Sequence, residues 1–235
     1  AQDGWKQGTR HGWKHVRARL DPRIGRTPLG AVDQMALKRL RAELAERYAP
    51  TTVQTTMSYA RMILRAAYVS RRIGHDPTAG LREKQRRADE RSNRVSPDDV
   101  PTRSEALAIL AGAPERFRAA VALGFAGLRV GEVLAVTSDR VELGSRQVTM
   151  DRQVQRYAGK LQLTTPKAEK VRTVTVPGVV AFELRRHLRN RGEGLLFPNT
   201  RGGLLNRAEF YTYGWWPALE AAEVPRDRFV FHACR

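Results

Sequence analysis

Apolar residues recur at helical spacing along "GAVDQMALKRLRAELAERYAP", at Val32, Met35, Leu37, Leu40, Leu44 and Tyr48. The pattern predicts a helix that Pro50 closes. Thr51 or Thr52 is placed to cap a second helix, whose buried stripe would be Val53, Met57, Ala60, Leu64 and Ala67. Beside that stripe, at the same period, run Gln54, Ser58, Arg61 and Arg65. From "LREKQRRADERSNRVSPDDVP" the periodicity vanishes, and residues 81–101 read as an extended basic linker. Thr102 or Ser104 then caps a short helix bearing Leu107 and Leu110. "PERFRAAVALGFAGLRVGEVLAV" predicts an apolar helix, a glycine-bearing turn and another helix from near Val130. Residues 147–155, 161–165 and 171–176 alternate as short strands, with turns at "YAGK" and "PKAEK". Helices follow at about 178–190 and 206–222. The expected architecture is mainly α: a small all-α domain over residues 1–80, the linker, and an α+β domain over 102–235 with a small three-stranded antiparallel sheet.

Charge changes the picture more than composition does. The 235 residues carry 42 Lys and Arg against 24 Asp and Glu, a formal net charge of +18. Residues 1–94 hold 21 basic and 9 acidic groups, and residues 95–235 hold 21 and 15. Both halves are basic and the first is extreme. A field of that size attracts polyanions, and nucleic acid is the usual partner. In such a segment the stripe Gln54, Ser58, Arg61 and Arg65 is placed to lie along DNA, with arginines for phosphates and amide or hydroxyl groups for base edges. The single cysteine, Cys234, excludes an internal disulfide framework and fits a reducing cytoplasm. No run approaches a membrane span, and no secretory leader is expected. Since "AQDGWKQGTR" does not begin with Met, we expect the chain to be the interior of a longer protein.

Candidate chemistry is concentrated in the second half. "GWKQGTRHGWK" places His11 and His15 four apart without a Cys, Asp or Glu ligand set, and no metal or other cofactor is expected. P-loop, zincin, nucleophile-elbow and paired-cysteine patterns are missing from the sequence. "AGLRVGE" puts Arg129 in a turn between two apolar helices, flanked by Gly127 and Gly131. The glycines permit close approach of backbone or ligand, so the arginine can be held and aimed. Glu132, three residues on, could instead make it a plain structural ion pair, and the residues alone leave both readings open. The chain closes on "FVFHACR", where His232 and Arg235 are spaced to grip one anion from a shared helix face.

"AGLRVGE", "TPKAEKVRTVTVP" and "HACR", in that order, resemble the catalytic domain of the tyrosine recombinases, the phage-integrase family. The all-α part is similar to the core-binding, SAM-like DNA-binding domain of integrases from bacterial mobile elements. Together the likenesses cover nearly all of residues 10–235. The resemblance implies that Arg129 is the first catalytic arginine and Glu132 its acidic companion. Lys167 matches the lysine that protonates the 5′-oxygen leaving group, with Lys160 and Lys170 as rivals. It is preferred because Arg172 opens "RTVTVP" as in the family pattern. His232 and Arg235 match the His-x-x-Arg pair. The family's nucleophilic tyrosine lies beyond that pair, so the chain as given is expected to bind DNA without making the covalent bond. Tyr157, Tyr211 and Tyr213 lie upstream of His232 and read as core or DNA-facing residues.

The residue types suit the reaction. A phosphodiester attacked by a hydroxyl gains negative charge on its non-bridging oxygens. Two guanidinium forks, charged at any working pH, can meet that charge without a metal ion. The activity implied is site-specific strand cutting and rejoining on double-stranded DNA, by a homotetramer with possible accessory bending or directionality factors, in a bacterial cytoplasm at the nucleoid. A type IB topoisomerase-like relaxing enzyme and a non-catalytic DNA-binding regulator on the same scaffold are the alternatives.

Overall fold

In the computed structural model the described residues are 7–80, 99–165, 171–189 and 192–234. The chain divides into two compact units, Ala1–Arg91 and Ser92–Arg235. The predicted linker falls at their junction, and its residues 81–98 lie outside the described residues.

The first unit is built from three helices, α1 (Gln7–Ile24), α2 (Gln34–Arg47) and α3 (Pro50–Val69). Val16 and Leu20 of α1 close over Leu37, Leu40 and Leu44 of α2 and over Val53, Met57, Ala60 and Leu64 of α3. The predicted stripes of α2 and α3 are therefore the core, except that Met35 is 54% exposed. The helix boundary differs from expectation. Asp33 caps α2 through its side chain, accepting from the Ala36 N–H at 2.7 Å. Pro50 does not close α2 but occupies the first turn of α3, after Ala49 at the cap position. Proline lacks an N–H, so the start of a helix is where it is least costly. Thr51 and Thr52 are thus inside the helix, and the Thr52 carbonyl accepts from the buried Thr56 hydroxyl at 2.9 Å. Helix α1 itself was not expected, because its sequence is too polar to show a clear apolar period.

The second unit opens with α4 (Arg103–Gly112), where Thr102 and Glu105 form a reciprocal capping box. Helix α5 (Glu115–Phe125) is the centre of the core: Ala119 to Leu123 are all at most 1% exposed. A short α6 (Val130–Val133) follows after Gly127, whose positive φ of 86° suits a residue without a Cβ. The strands are β1 (Val141–Glu142), β2 (Gln147–Met150), β3 (Gln153–Tyr157), β4 (Lys160–Thr164) and β5 (Arg172–Thr175). They make two sheets: antiparallel β1-β2-β5, with Val148 opposite Val174 and Met150 opposite Arg172, and the hairpin β3-β4. The single expected strand over 147–155 is broken at Asp151 and Arg152. There Asp151 accepts from Arg140 Nε at 2.9 Å and from Arg152 Nε at 3.0 Å, leaving the ladder to do so.

Helix α7 (Gly178–Leu188) packs on α5. The last helical region runs as α8 (Arg207–Phe210), a π-helical turn (Tyr211–Trp215) and α9 (Trp216–Ala221), where one helix was expected. A 3-10 turn, Phe231–Cys234, ends the described chain. Phe231 is its anchor. The ring is buried edge-on to Phe210 and Trp215, at centroid distances of 5.0 and 5.2 Å. Its other side lies on Gly124 of α5, where an added Cβ would fall inside the ring.

Two substitutions test this seat. Phe231→Ala should lower stability by about 3–5 kcal/mol in urea unfolding, the usual result of emptying a buried aromatic site. Gly124→Val should destabilise as well, by driving the ring out, and a wild-type midpoint for it would show that the ring is not seated there.

Candidate active site

Arg129 stands at the junction of α5 and α6 in extended backbone conformation, with φ −73° and ψ 147°. Leu128, 1% exposed, pins the residue before it in the core. Gly131 lets α6 lie against β3, since a Cβ there would come within 2.9 Å of the Val154 carbonyl oxygen. Glu132 is 2% exposed and receives three donors. Its Oε1 accepts from Arg129 Nη1 at 2.9 Å, and its Oε2 accepts from the Arg129 backbone N–H and from Arg172 Nη2, each at 2.8 Å. A carboxylate this deep is costly unless paired and hydrogen-bonded, and here it is both. The arrangement holds Arg129 at its root and by one nitrogen. The side chain stays 44% exposed. Nη1–Glu132 is the only side-chain bond of Arg129 among the described residues, which leaves the rest of the fork available to an anion.

The two readings of Arg129 that the sequence left open therefore combine. It is ion-paired with Glu132 and also presented outward. Arg172, 33% exposed, is the residue that sequence reasoning undervalued: it was noticed only as the opening of a strand. Nothing in a 40-residue separation signals that it shares a carboxylate with Arg129. Its Nε is buried and has no hydrogen-bond partner among the described residues.

His232 is exposed on the 3-10 turn beside buried Phe231, and that turn packs at Gly124 on α5, the helix that ends just before the turn bearing Arg129. Arg235, Lys167 and the rival Lys170 lie outside the described residues. Lys160, the other rival, is exposed at the start of β4 opposite Tyr157. Tyr157 and Tyr211 are half-buried, Tyr211 between Phe210 and Trp216 with the Arg207 guanidinium 5.2 Å above its ring. Tyr213 is 63% exposed on the π-helical turn.

In the first unit Gln54, Ser58 and Arg65 are exposed on one side of α3, and Arg61 is half-buried. Met62, 49% exposed, lies beside them, four residues after Ser58 and three before Arg65. On α1, His11 and His15 hydrogen-bond to each other at 3.3 Å between Nε2 atoms. Among the described residues no group of three or more His, Cys, Asp or Glu could hold a metal ion, and no helix is long and apolar enough to cross a membrane.

Glu132→Ala should cost roughly 3 kcal/mol, because it strands two arginines that the carboxylate now pairs. Urea unfolding measures it. Cys234 has its thiol pushed up to about 12 by burial. A thiol so raised is protonated at pH 8, so a disulfide reagent should label it far more slowly in the native protein than in denaturant. Equal rates would show the site to be open.

Residues 1–84 match the family model of the phage integrase central domain. No curated protein matches the chain in sequence. Among solved structures, the chain is similar to the Tn1549 transposon integrase in complex with a circular intermediate DNA, with a TM-score of 0.78 at 16% identity, covering 99% of this chain and 80% of that one. A lambda integrase dimer bound to a COC′ core site gives 0.65 at 16% identity, covering 98% and 81%. A lambda integrase tetramer bound to a Holliday junction gives 0.68 at 16% identity, covering 98% and 66%. Residues 1–84 thus match the phage integrase central domain, and the chain shares the fold of these integrases over nearly its whole length.

Proposed function

We propose that the protein is a site-specific DNA recombinase that cuts and rejoins strands through a 3′-phosphotyrosine intermediate. The observation that carries this reading is Arg129, rooted by buried Glu132 and otherwise turned outward. In the reaction a tyrosyl oxygen attacks the scissile phosphorus and the bond from phosphorus to the 5′-oxygen breaks. The resemblance puts that tyrosine downstream of Arg235. Arg129 and Arg235 take the charge that grows on the non-bridging oxygens, Lys167 gives a proton to the departing 5′-oxygen, and His232 hydrogen-bonds the phosphate or holds a proton. Rejoining runs the same steps backwards with a new 5′-hydroxyl.

DNA binding rests on the net charge of +18 and on the exposed Gln54, Ser58 and Arg65 of α3, with Arg61 beside them. The similar integrases were solved with DNA, one of them as a tetramer on a Holliday junction, and we assign the same substrate class and a tetrameric assembly to this protein. Its place of action would be the DNA of a bacterial cytoplasm.

In the full-length protein, Arg129→Ala should reduce covalent adduct on nicked duplex by about 10²–10³. Undiminished adduct would remove Arg129 from the site. Arg65→Ala should weaken binding across all sequences and lower the salt slope of log K by about one, whereas Gln54→Ala should relax preference at a single base pair. Footprinting that finds no defined site would turn the reading toward a DNA-relaxing enzyme.

A further inference from the structure

Arg129 and Glu132 taken together are electrically neutral, which is a poor device for holding an anion. A buried carboxylate 2.9 Å from Nη1 would cancel the charge that the arginine is there to supply. It would also invite the fork to fold down and bind it with two nitrogens, the geometry that arginine and carboxylate prefer. Arg172 Nη2 occupies Oε2 at 2.8 Å, together with the Arg129 backbone N–H. That oxygen is thereby saturated, and Arg129 is limited to a single contact through Oε1. The group of three carries a net charge of +1.

Arg172 holds this position at a cost, since its Nε is buried without an acceptor among the described residues. Unpaired buried donors are rare and call for a reason. Two further facts narrow the reason. Arg172 lies at the start of β5, where its ladder partner is Met150, so strand pairing itself does not require a cation there. Its contact joins the sheet to α6 across 40 residues of sequence.

We propose that Arg172 is a positioning residue for the phosphate site: it neutralises Glu132, so that Arg129 keeps both its charge and its free fork edge for the scissile phosphate. This rests on the recombinase reading and adds to it a residue that acts through another rather than on the substrate.

The test compares full-length wild type and Arg172→Met on two suicide duplexes, one with a normal scissile phosphodiester and one with a methylphosphonate there. The methylphosphonate lacks the negative oxygen that Arg129 would meet. On the phosphodiester, Arg172→Met should lower the cleavage rate by about 10². On the methylphosphonate it should stay within about threefold of wild type, because the ground-state charge is gone and one fewer negative charge has to be offset in the transition state. Adding Glu132→Gln to Arg172→Met should recover about tenfold on the phosphodiester, the non-additivity expected of residues in one network. A purely structural role would give the same loss on both substrates and no recovery, and that result overturns the proposal. A wild type that forms no adduct on the phosphodiester overturns the recombinase reading and this inference with it. A wild type that cleaves while Arg172→Met cleaves equally well overturns only the inference. Should circular dichroism show Arg172→Met unfolded, Arg172→Lys decides: it keeps the charge and should retain at least about a tenth of the wild-type rate on the phosphodiester. A larger loss for Arg172→Lys, equal on both duplexes, overturns the proposal.

Discussion

One carboxylate, out of reach of water, sets the geometry of the second unit's chemistry. Glu132 accepts from the backbone and side chain of Arg129 and from Arg172, and so ties the start of α6 to the start of β5. The three bonds act on different objects. The backbone bond fixes where α6 begins, the side-chain bond fixes the direction of one guanidinium, and the bond from β5 fixes the sheet against both. An ion pair of this depth is weak evidence for stability, because burying the charges offsets most of their attraction. Its value lies in uniqueness of geometry: a fork held at one nitrogen has few places to go.

The rest of the unit keeps that geometry in register with the 3-10 turn that carries His232. Helix α5 is the common support. It ends at the glycine turn from which Arg129 emerges, and at Gly124 it receives the ring of Phe231, the neighbour of His232. Both candidate stretches are thus placed by one rigid element with an almost fully buried middle. Sites on rigid helices hold their groups to smaller tolerances than sites on free loops.

Much of this was legible in the sequence. The apolar period of residues 30–67 identified α2 and α3 with their inner faces, and the three motifs in order pointed to the integrase fold that the chain shares. Boundaries were less so. Pro50 reads equally as a stop or a start until its neighbours are placed, and only the structure shows it in the first turn of α3. The strand break at Asp151 depends on Arg140, which no alternation pattern registers. Helix α1 is dominated by charge, so its few apolar contacts, such as Trp13 against Tyr59 at 5.7 Å, are tertiary facts. The Arg172 contact is of the same kind. Residues that act through a partner far along the chain leave no local signature.

The π-helical turn at Tyr211–Trp215 has an effect at a distance. In regular α-helical winding, residues five apart point about 140° away from each other. The wider i to i+5 winding brings them back to roughly one side. Phe210 and Trp215 can therefore both reach the ring of Phe231, where ordinary winding would turn one of them to solvent. Gly214 makes room for the loop of extra backbone, since a Cβ there would strike the Phe117 ring. A single additional residue, absorbed as a bulge, is thus what completes the aromatic cage under His232, and a one-residue deletion in that turn would unseat the histidine without touching it.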